Sequence, residues 1–174
     1  MKKFISLTFV FILAQSLNSL AQDESIEWLS INSFVEEVRD NEESKHVFID
    51  VYTQWCGWCK RMDASTFKDP EIVEIMNTYF IPIKFDAEQK EPIEIGGKEF
   101  KFVENGRRGY HELAATLMNG EMSYPTFVLL DDKGEIIQPL PGFQSAEDLK
   151  PILLFIGQGH YKDETWEEYL EGYE

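Results

Sequence analysis

Phe48-Ile49-Asp50-Val51-Tyr52-Thr53-Gln54-Trp55-Cys56-Gly57-Trp58-Cys59-Lys60 contains both cysteines of the chain. Its first half belongs to His46–Tyr52, a short β-branched and aromatic run that predicts a buried strand. A helix is predicted over 57–67. A cysteine where a strand hands over to a helix meets unsatisfied backbone N–H groups and the positive end of the helix dipole. Both favour a thiolate at Cys56. Cys59 stands one turn further on, close enough to close a disulfide. The spacing points to a reactive dithiol.

Three other uses of the pair are weaker. A zinc site needs two more ligands, and His46, His111 and His160 are scattered without ligand spacing, so no metal is expected. A structural disulfide across so short a loop would restrain the unfolded chain little. Two buried free thiols are out of place in an oxidising compartment.

The N-terminus indicates such a compartment. Met1-Lys2-Lys3 is followed by an apolar run over 4–14 and then by Ser19-Leu20-Ala21, the pattern of a signal peptide cleaved after Ala21. As a helix the apolar run reaches ~16 Å, about half of a ~30 Å hydrocarbon core. No stable membrane insertion is expected after cleavage, and the segment has no cysteine to carry a lipid. The short Lys-Lys start is of bacterial type, so the expected address is periplasmic or secreted. Residues 22–174 then form one domain. Across all 174 residues, 32 Asp+Glu oppose 16 Lys+Arg for a net charge of −16, while 43% are hydrophobic and 14% aromatic. That excludes a disordered chain and a nucleic-acid binder, which needs basic surface.

Outward from the dithiol, strand and helix periods alternate. A short strand is predicted over 26–29. Ser33 with Glu36 reads as a capping box, with Phe34, Val35 and Val38 turned inward. Asp69-Pro70-Glu71 restarts a helix whose Ile72, Ile75 and Met76 face the core. Strands are predicted over 80–85, 125–130 and 135–137, and a helix over 110–118. Glu94 to Phe100 reads as a hairpin turning on Gly96-Gly97. Ser145 opens a helix in which Pro151 predicts a kink or a late start, and an amphipathic helix covers 163–173. The segment 87–108, containing the hairpin and a basic loop Asn105-Gly106-Arg107-Arg108, reads as a surface embellishment, with one wall of a partner groove as the alternative.

In this arrangement the chain resembles the thioredoxin superfamily over roughly residues 26–157. The strand–Trp55-Cys56-Gly57-Trp58-Cys59-Lys60–helix unit carries the resemblance. Asp50 stands where that superfamily has a buried carboxylate, Lys84 where a lysine approaches it, and Tyr124-Pro125-Thr126 at the cis-proline loop. Pro141-Gly142-Phe143 matches the glycine region before the last helix. Phe67-Lys68-Asp69-Pro70-Glu71 is similar to a segment of exported members and of the electron-receiving domains of periplasmic interchange reductases.

The resemblance implies an α/β thioredoxin-like fold, a central mixed sheet flanked by helices, with a hairpin insertion and an extra C-terminal helix. It implies a thiol–disulfide oxidoreductase without a bound cofactor, acting on disulfide- or thiol-containing exported proteins and recycled by a redox partner. Cys56 would attack, Cys59 would resolve, and Asp50, tuned by Lys84, would take the Cys59 proton. Trp55, Gly57, Trp58, Tyr124 and Pro125 would bind the client. Trp58 stands where strongly reducing members have proline, and Tyr124 where the residue is usually small or β-branched. The direction of electron flow therefore stays open. The alternative is a thioredoxin-fold adaptor that holds a partner at Tyr124-Pro125 with its dithiol dispensable.

Overall fold

A computed structural model describes residues 24–37 and 45–173. The export segment expected at 1–21 and the inward position of Val38 lie outside the described residues. The chain enters through β1 (Leu29–Ser30) and α1 (Ile31–Glu37), then β2 (His46–Tyr52), α2 (Gly57–Ala64), a 3-10 turn at Thr66–Lys68, α3 (Pro70–Tyr79) and β3 (Phe80–Asp86). An insertion follows, made of β4 (Ile93–Ile95), β5 (Lys98–Phe100), β6 (Phe102–Asn105) and β7 (Arg108–His111). It leads into α4 (Glu112–Leu117), β8 (Thr126–Leu130), β9 (Ile136–Pro141), α5 (Ala146–Gly157), a 3-10 turn at His160–Lys162 and α6 (Trp166–Gly172).

The central sheet has the order β1-β3-β2-β8-β9. β1 and β2 run parallel to β3, whereas β8 pairs antiparallel with β2 and β9 with β8. The first six residues of β2 are buried, because helices cover both faces of the sheet. On one face Phe48, Phe80, Phe127 and Leu129 meet Met62 of α2, Ile72 and Met76 of α3, and Leu149 and Leu153 of α5. On the other, Val47, Ile49, Val51, Ile83 and Phe85 meet Ile31 of α1 and Leu113, Ala114 and Leu117 of α4. The alternation along β2 thus assigns Phe48 and Asp50 to the α2 face.

Several local expectations shift. Pairing at the first strand begins only at Leu29, opposite Ile83, while Ile26 enters the core. Ser33 lies inside α1, and the cap is Ser30, whose Oγ accepts the Ser33 N–H at 3.0 Å. The helix over 57–67 breaks at Ser65, with φ −131° and ψ −83°, and continues as the 3-10 turn. The restart at Asp69 occurs as predicted, with its carboxylate accepting from Glu71 and Ile72 N–H groups. Helix α5 begins at Ala146 without a late start; the N–H that Pro151 lacks would reach back only to the carbonyl of exposed Glu147 in its first turn.

The largest difference is in the insertion. Gly96 and Gly97, at φ 60° and 79°, turn the β4–β5 hairpin as predicted. The basic loop is a second hairpin, in which Asn105 pairs with Arg108 and Phe102 with His111. Gly109 is required there, since a side chain would begin 2.2 Å from the Phe102 ring and 2.4 Å from the Val103 carbonyl. Tyr110 and His111 belong to β7, so the helix predicted over 110–118 starts at Glu112. At the C-terminus, Thr165 and Glu168 form a reciprocal cap, and Trp166 and Tyr169 pack on Phe155 of α5. No helix among the described residues is long and apolar enough to cross a membrane.

Candidate active site

Between the end of β2 and the start of α2 the chain turns through Thr53-Gln54-Trp55-Cys56, closed by a Cys56 N–H to Thr53 carbonyl bond of 3.1 Å. Cys56 is the N-cap of α2, and its Sγ accepts the Cys59 N–H at 3.0 Å. The two cysteines form a disulfide, with Cα atoms 5.3 Å apart. Both are buried, yet Trp55, Gly57 and Trp58 around them are exposed. Nothing lies within 4 Å of the position a Gly57 side chain would take, so this is the open side of the turn. As N-cap, the Cys56 sulfur stands at the positive end of α2.

On the sheet face that α2 covers, Asp50 is 1% exposed. It lies opposite Lys84 in the β2–β3 register. Lys84 Nζ donates to Asp50 Oδ2 and to Asp63 Oδ1, both at 2.5 Å. Three rings surround that ammonium, with centroids 4.5 Å (Trp28), 5.0 Å (Phe67) and 5.6 Å (Tyr52) from Nζ. Burial pushes the Asp50 carboxyl up to about 6 although Lys84 pulls the other way. Burial opposes the Lys84 charge too, but Asp50 and Asp63 outweigh it and raise its pKa. Asp50 Oδ1 and Thr53 Oγ1 are buried without a hydrogen-bond partner among the described residues. A carboxyl near 6 can exchange a proton at neutral pH, and Lys84 couples it to the helix that carries the cysteines.

The Tyr124–Pro125 peptide bond is cis. Pro125 is buried and its carbonyl accepts the Gly142 N–H, joining this loop to the Pro141-Gly142-Phe143 turn. Tyr124, which precedes β8, makes no backbone hydrogen bond among the described residues. Its N–H and carbonyl are thus free to pair with an extended chain, as a sheet edge does. The Tyr124 ring meets Trp55 edge-on at 5.8 Å. Burial, with Glu88 and Asp86 nearby, pushes its hydroxyl up to about 12 and keeps it protonated.

The two exposed indoles are held from different sides. Trp55 donates from Nε1 to Glu88 Oε1 at 3.1 Å, and the Arg108 guanidinium lies 3.9 Å from its ring centroid. Trp58 packs on Phe143 at 5.4 Å, with the Arg61 guanidinium 5.3 Å from one ring and 5.2 Å from the other. The insertion, read from the sequence as a surface embellishment, therefore reaches the site through Arg108.

Cys56 pairs with Cys59 and Asp50 with Lys84, which also reaches Asp63 on the cysteine-bearing helix, and Trp55 touches Tyr124. Asp63, Trp28, Glu88 and Arg108 complete the arrangement; the sequence marks Asp63 only as a charge opposing the Cys56 thiolate, and the other three are not foreseen in it. Asp63 had a signal, since it follows Cys59 by four residues and so shares its helix face. The other three meet the site only through tertiary contacts.

Comparison with known proteins agrees with this geometry. No curated protein matches the chain. A thioredoxin-fold protein from Helicobacter pylori shares 19% identity, covering 88% of this chain and 89% of that one, with a TM-score of 0.56. At that identity the likeness is one of fold. A Bacteroides thetaiotaomicron protein described as a "putative disulphide-isomerase" is 28% identical, covering 83% of this chain and 100% of that one, with a TM-score of 0.50. The Thioredox_DsbH model, described as protein of unknown function, DUF255, matches residues 14–138 and so spans Asp50, the dithiol, Lys84 and Tyr124-Pro125. With a thioredoxin-like sheet and a cysteine pair at the head of α2, the chain belongs to the Thioredox_DsbH family.

Proposed function

We propose that the protein is an exported thiol–disulfide oxidoreductase that exchanges disulfides with exported client proteins through Cys56 and Cys59. The observation that carries this reading is the Cys56–Cys59 disulfide at the head of α2, with Cys56 as its N-cap and exposed Trp55, Gly57 and Trp58 around it. In the reducing direction the Cys56 thiolate attacks one client sulfur. A Cys56–client disulfide forms, and the second client sulfur leaves as a thiolate that takes a proton from water. Cys59 then gives its proton to Asp50 and attacks Cys56 Sγ. The Cys56–Cys59 bond closes and the first client sulfur leaves, so two electrons pass from the dithiol to the client. A thiol donor reopens the disulfide. The reverse sequence oxidises a client dithiol.

Tyr124 would hold the client as an added strand, with Trp55 and Trp58 on either side of Gly57. The N-terminal sequence supports export, and periplasmic fractionation of the full-length chain tests that part directly. The chemistry is tested by insulin reduction with dithiothreitol as electron donor. Wild-type protein accelerates it, and Cys56→Ala removes the acceleration. Equal turnover by that variant would leave only the adaptor reading. Equilibration of Cys56–Cys59 against glutathione buffers assigns the direction, between a reducing end near about −270 mV and an oxidising end near about −120 mV.

A further inference from the structure

The acidic balance of this chain makes its arginines conspicuous: it has four, and two of them lie over the indoles beside the dithiol, Arg108 at 3.9 Å and Arg61 at 5.3 Å from the ring centroids. Arg108, from the insertion, covers Trp55, which precedes Cys56. Arg61, from α2, covers Trp58 and Phe143, beyond Gly57. Both arginines are exposed, and neither guanidinium makes an ion pair or hydrogen bond among the described residues. A guanidinium lying on a ring keeps its N–H donors in its own plane, at its edge, where a carboxylate can accept two of them. The cation–π contact also favours the position of the long side chain over the ring. Two exposed guanidiniums without an ion pair among the described residues therefore sit over the indoles that flank Cys56 and Gly57 in the chain.

We propose that Arg61 and Arg108 bind carboxylate side chains on either side of the client's cysteine, so that the preferred clients carry their disulfide in an acidic segment. This rests on the oxidoreductase reading above and adds the substrate class. Two features oppose it and are outweighed at contact distance. The net charge of −16 repels an acidic client from afar, but charges beyond a Debye length of about 8 Å are largely screened at physiological salt. Glu88 and Asp86 stand on the Trp55 flank. Both Asp86 oxygens and Glu88 Oε1 are engaged, by the Glu88 N–H, by Gln54 Nε2 and by Trp55 Nε1. Asp63, two residues from Arg61, is held by Lys84. Recognition is consequently by contact rather than by long-range attraction, and it acts on binding rather than on sulfur chemistry.

The test uses disulfide-linked peptide dimers in which the cysteine is flanked by Glu, by Gln or by Lys, with dithiothreitol as electron donor. Wild-type kcat/KM should follow Glu above Gln above Lys, with a Glu-to-Lys ratio of about tenfold carried by KM. Each arginine should account for roughly two- to fivefold of that ratio, the usual range for an exposed pair. Arg61→Gln/Arg108→Gln should bring the ratio below twofold, and Arg108→Lys should keep part of it, retaining charge without the flat stack. Because the ratio is taken within each variant, a general loss of activity cancels. A wild-type ratio near one, or an unchanged ratio in the double variant, overturns the proposal. Wild-type protein that reduces the neutral hydroxyethyl disulfide but shows no peptide preference defeats this proposal alone. Failure on every disulfide defeats the oxidoreductase reading, and this one with it.

Discussion

Asp50 and His111 are both almost fully buried, on opposite faces of the central sheet, and the fold treats them in opposite ways. His111 uses every polar atom of its ring. Nδ1 accepts the Leu113 N–H at 3.2 Å as the N-cap of α4, Nε2 donates to the Glu91 carbonyl at 3.2 Å, and the ring stands edge-on to Phe85. Asp50 uses one oxygen on Lys84, and its other oxygen finds no partner among the described residues. Burial acts on both towards the neutral form, lowering the His111 pKa and raising that of Asp50. A fully satisfied buried group holds a structure together. A half-satisfied one weakens it, a cost met more often at functional sites than elsewhere.

The comparison breaks first at His111. His111→Ala removes the α4 cap, strands the Glu91 carbonyl and opens a cavity beside Phe85, a combined loss of about 3 kcal/mol in denaturant unfolding. His111→Asn should recover about 1 kcal/mol, because asparagine also caps. The pH dependence follows from the lowered pKa. Unfolded histidine takes a proton below about 6.5 while the folded ring resists it. The His111 contribution is complete above that pH and is lost as pH falls, with a limiting slope of ~1.4 kcal/mol per unit. A wild-type-minus-Asn difference that stays flat from pH 7 to 5 would show that the ring is not held neutral.

Asp50 should behave in the reverse sense. Its folded pKa of about 6 stands above the ordinary 3.8, so stability is full below about 3.8 and falls as pH rises through about 6. Asp50→Asn should therefore be more stable than wild type by about 2 kcal/mol at pH 8, with the gap closing towards pH 4. The same variant should slow client reduction by about ten- to a hundredfold at pH 7, at or below the low end for lost acid–base catalysis. Greater stability with lower activity is the signature of a group retained for function. Asp50→Asn that is both destabilised and fully active would make Asp50 a structural residue like His111.

What could be read in the sequence divides along the same line between local and distant causes. Asp69-Pro70, the hydrophobic run of β2 and the Gly96-Gly97 turn each act through neighbours in the chain, and each appears where expected. Ser30 displaced Ser33 as a cap because β1 pairing with β3 brings α1 to an earlier start, a tertiary cause. The β6–β7 hairpin was obscured since Val103-Glu104 and Arg108-Gly109 lack strand alternation, and Phe102 lying over Gly109 is visible only once the strands pair. At the site, the dithiol spacing is local, whereas Asp50 and Lys84 were placed by resemblance and joined only by the β2–β3 register. Arg108 and Glu88 meet at Trp55 from separate parts of the insertion, with no periodicity to mark either.

Thr53 gives the finest form of the comparison. Like Asp50 it is buried with an unpartnered oxygen among the described residues, and like His111 it holds a turn, since its carbonyl accepts the Cys56 N–H. The backbone bond survives any side-chain change, so the hydroxyl can be tested alone. Thr53→Val keeps the shape and β-branching of the side chain and removes only an unpaired polar atom. If the hydroxyl contributes nothing, the variant should match or exceed wild-type stability by up to about 1 kcal/mol, with client reduction within twofold. A loss of more than about 1 kcal/mol would mean that the hydroxyl is satisfied in solution, as a water-bridged group would be. If activity fell instead with stability intact, Thr53 would join Asp50 in moving the Cys59 proton. The half-satisfied region around Asp50 would then extend from one carboxylate to a chain of two groups.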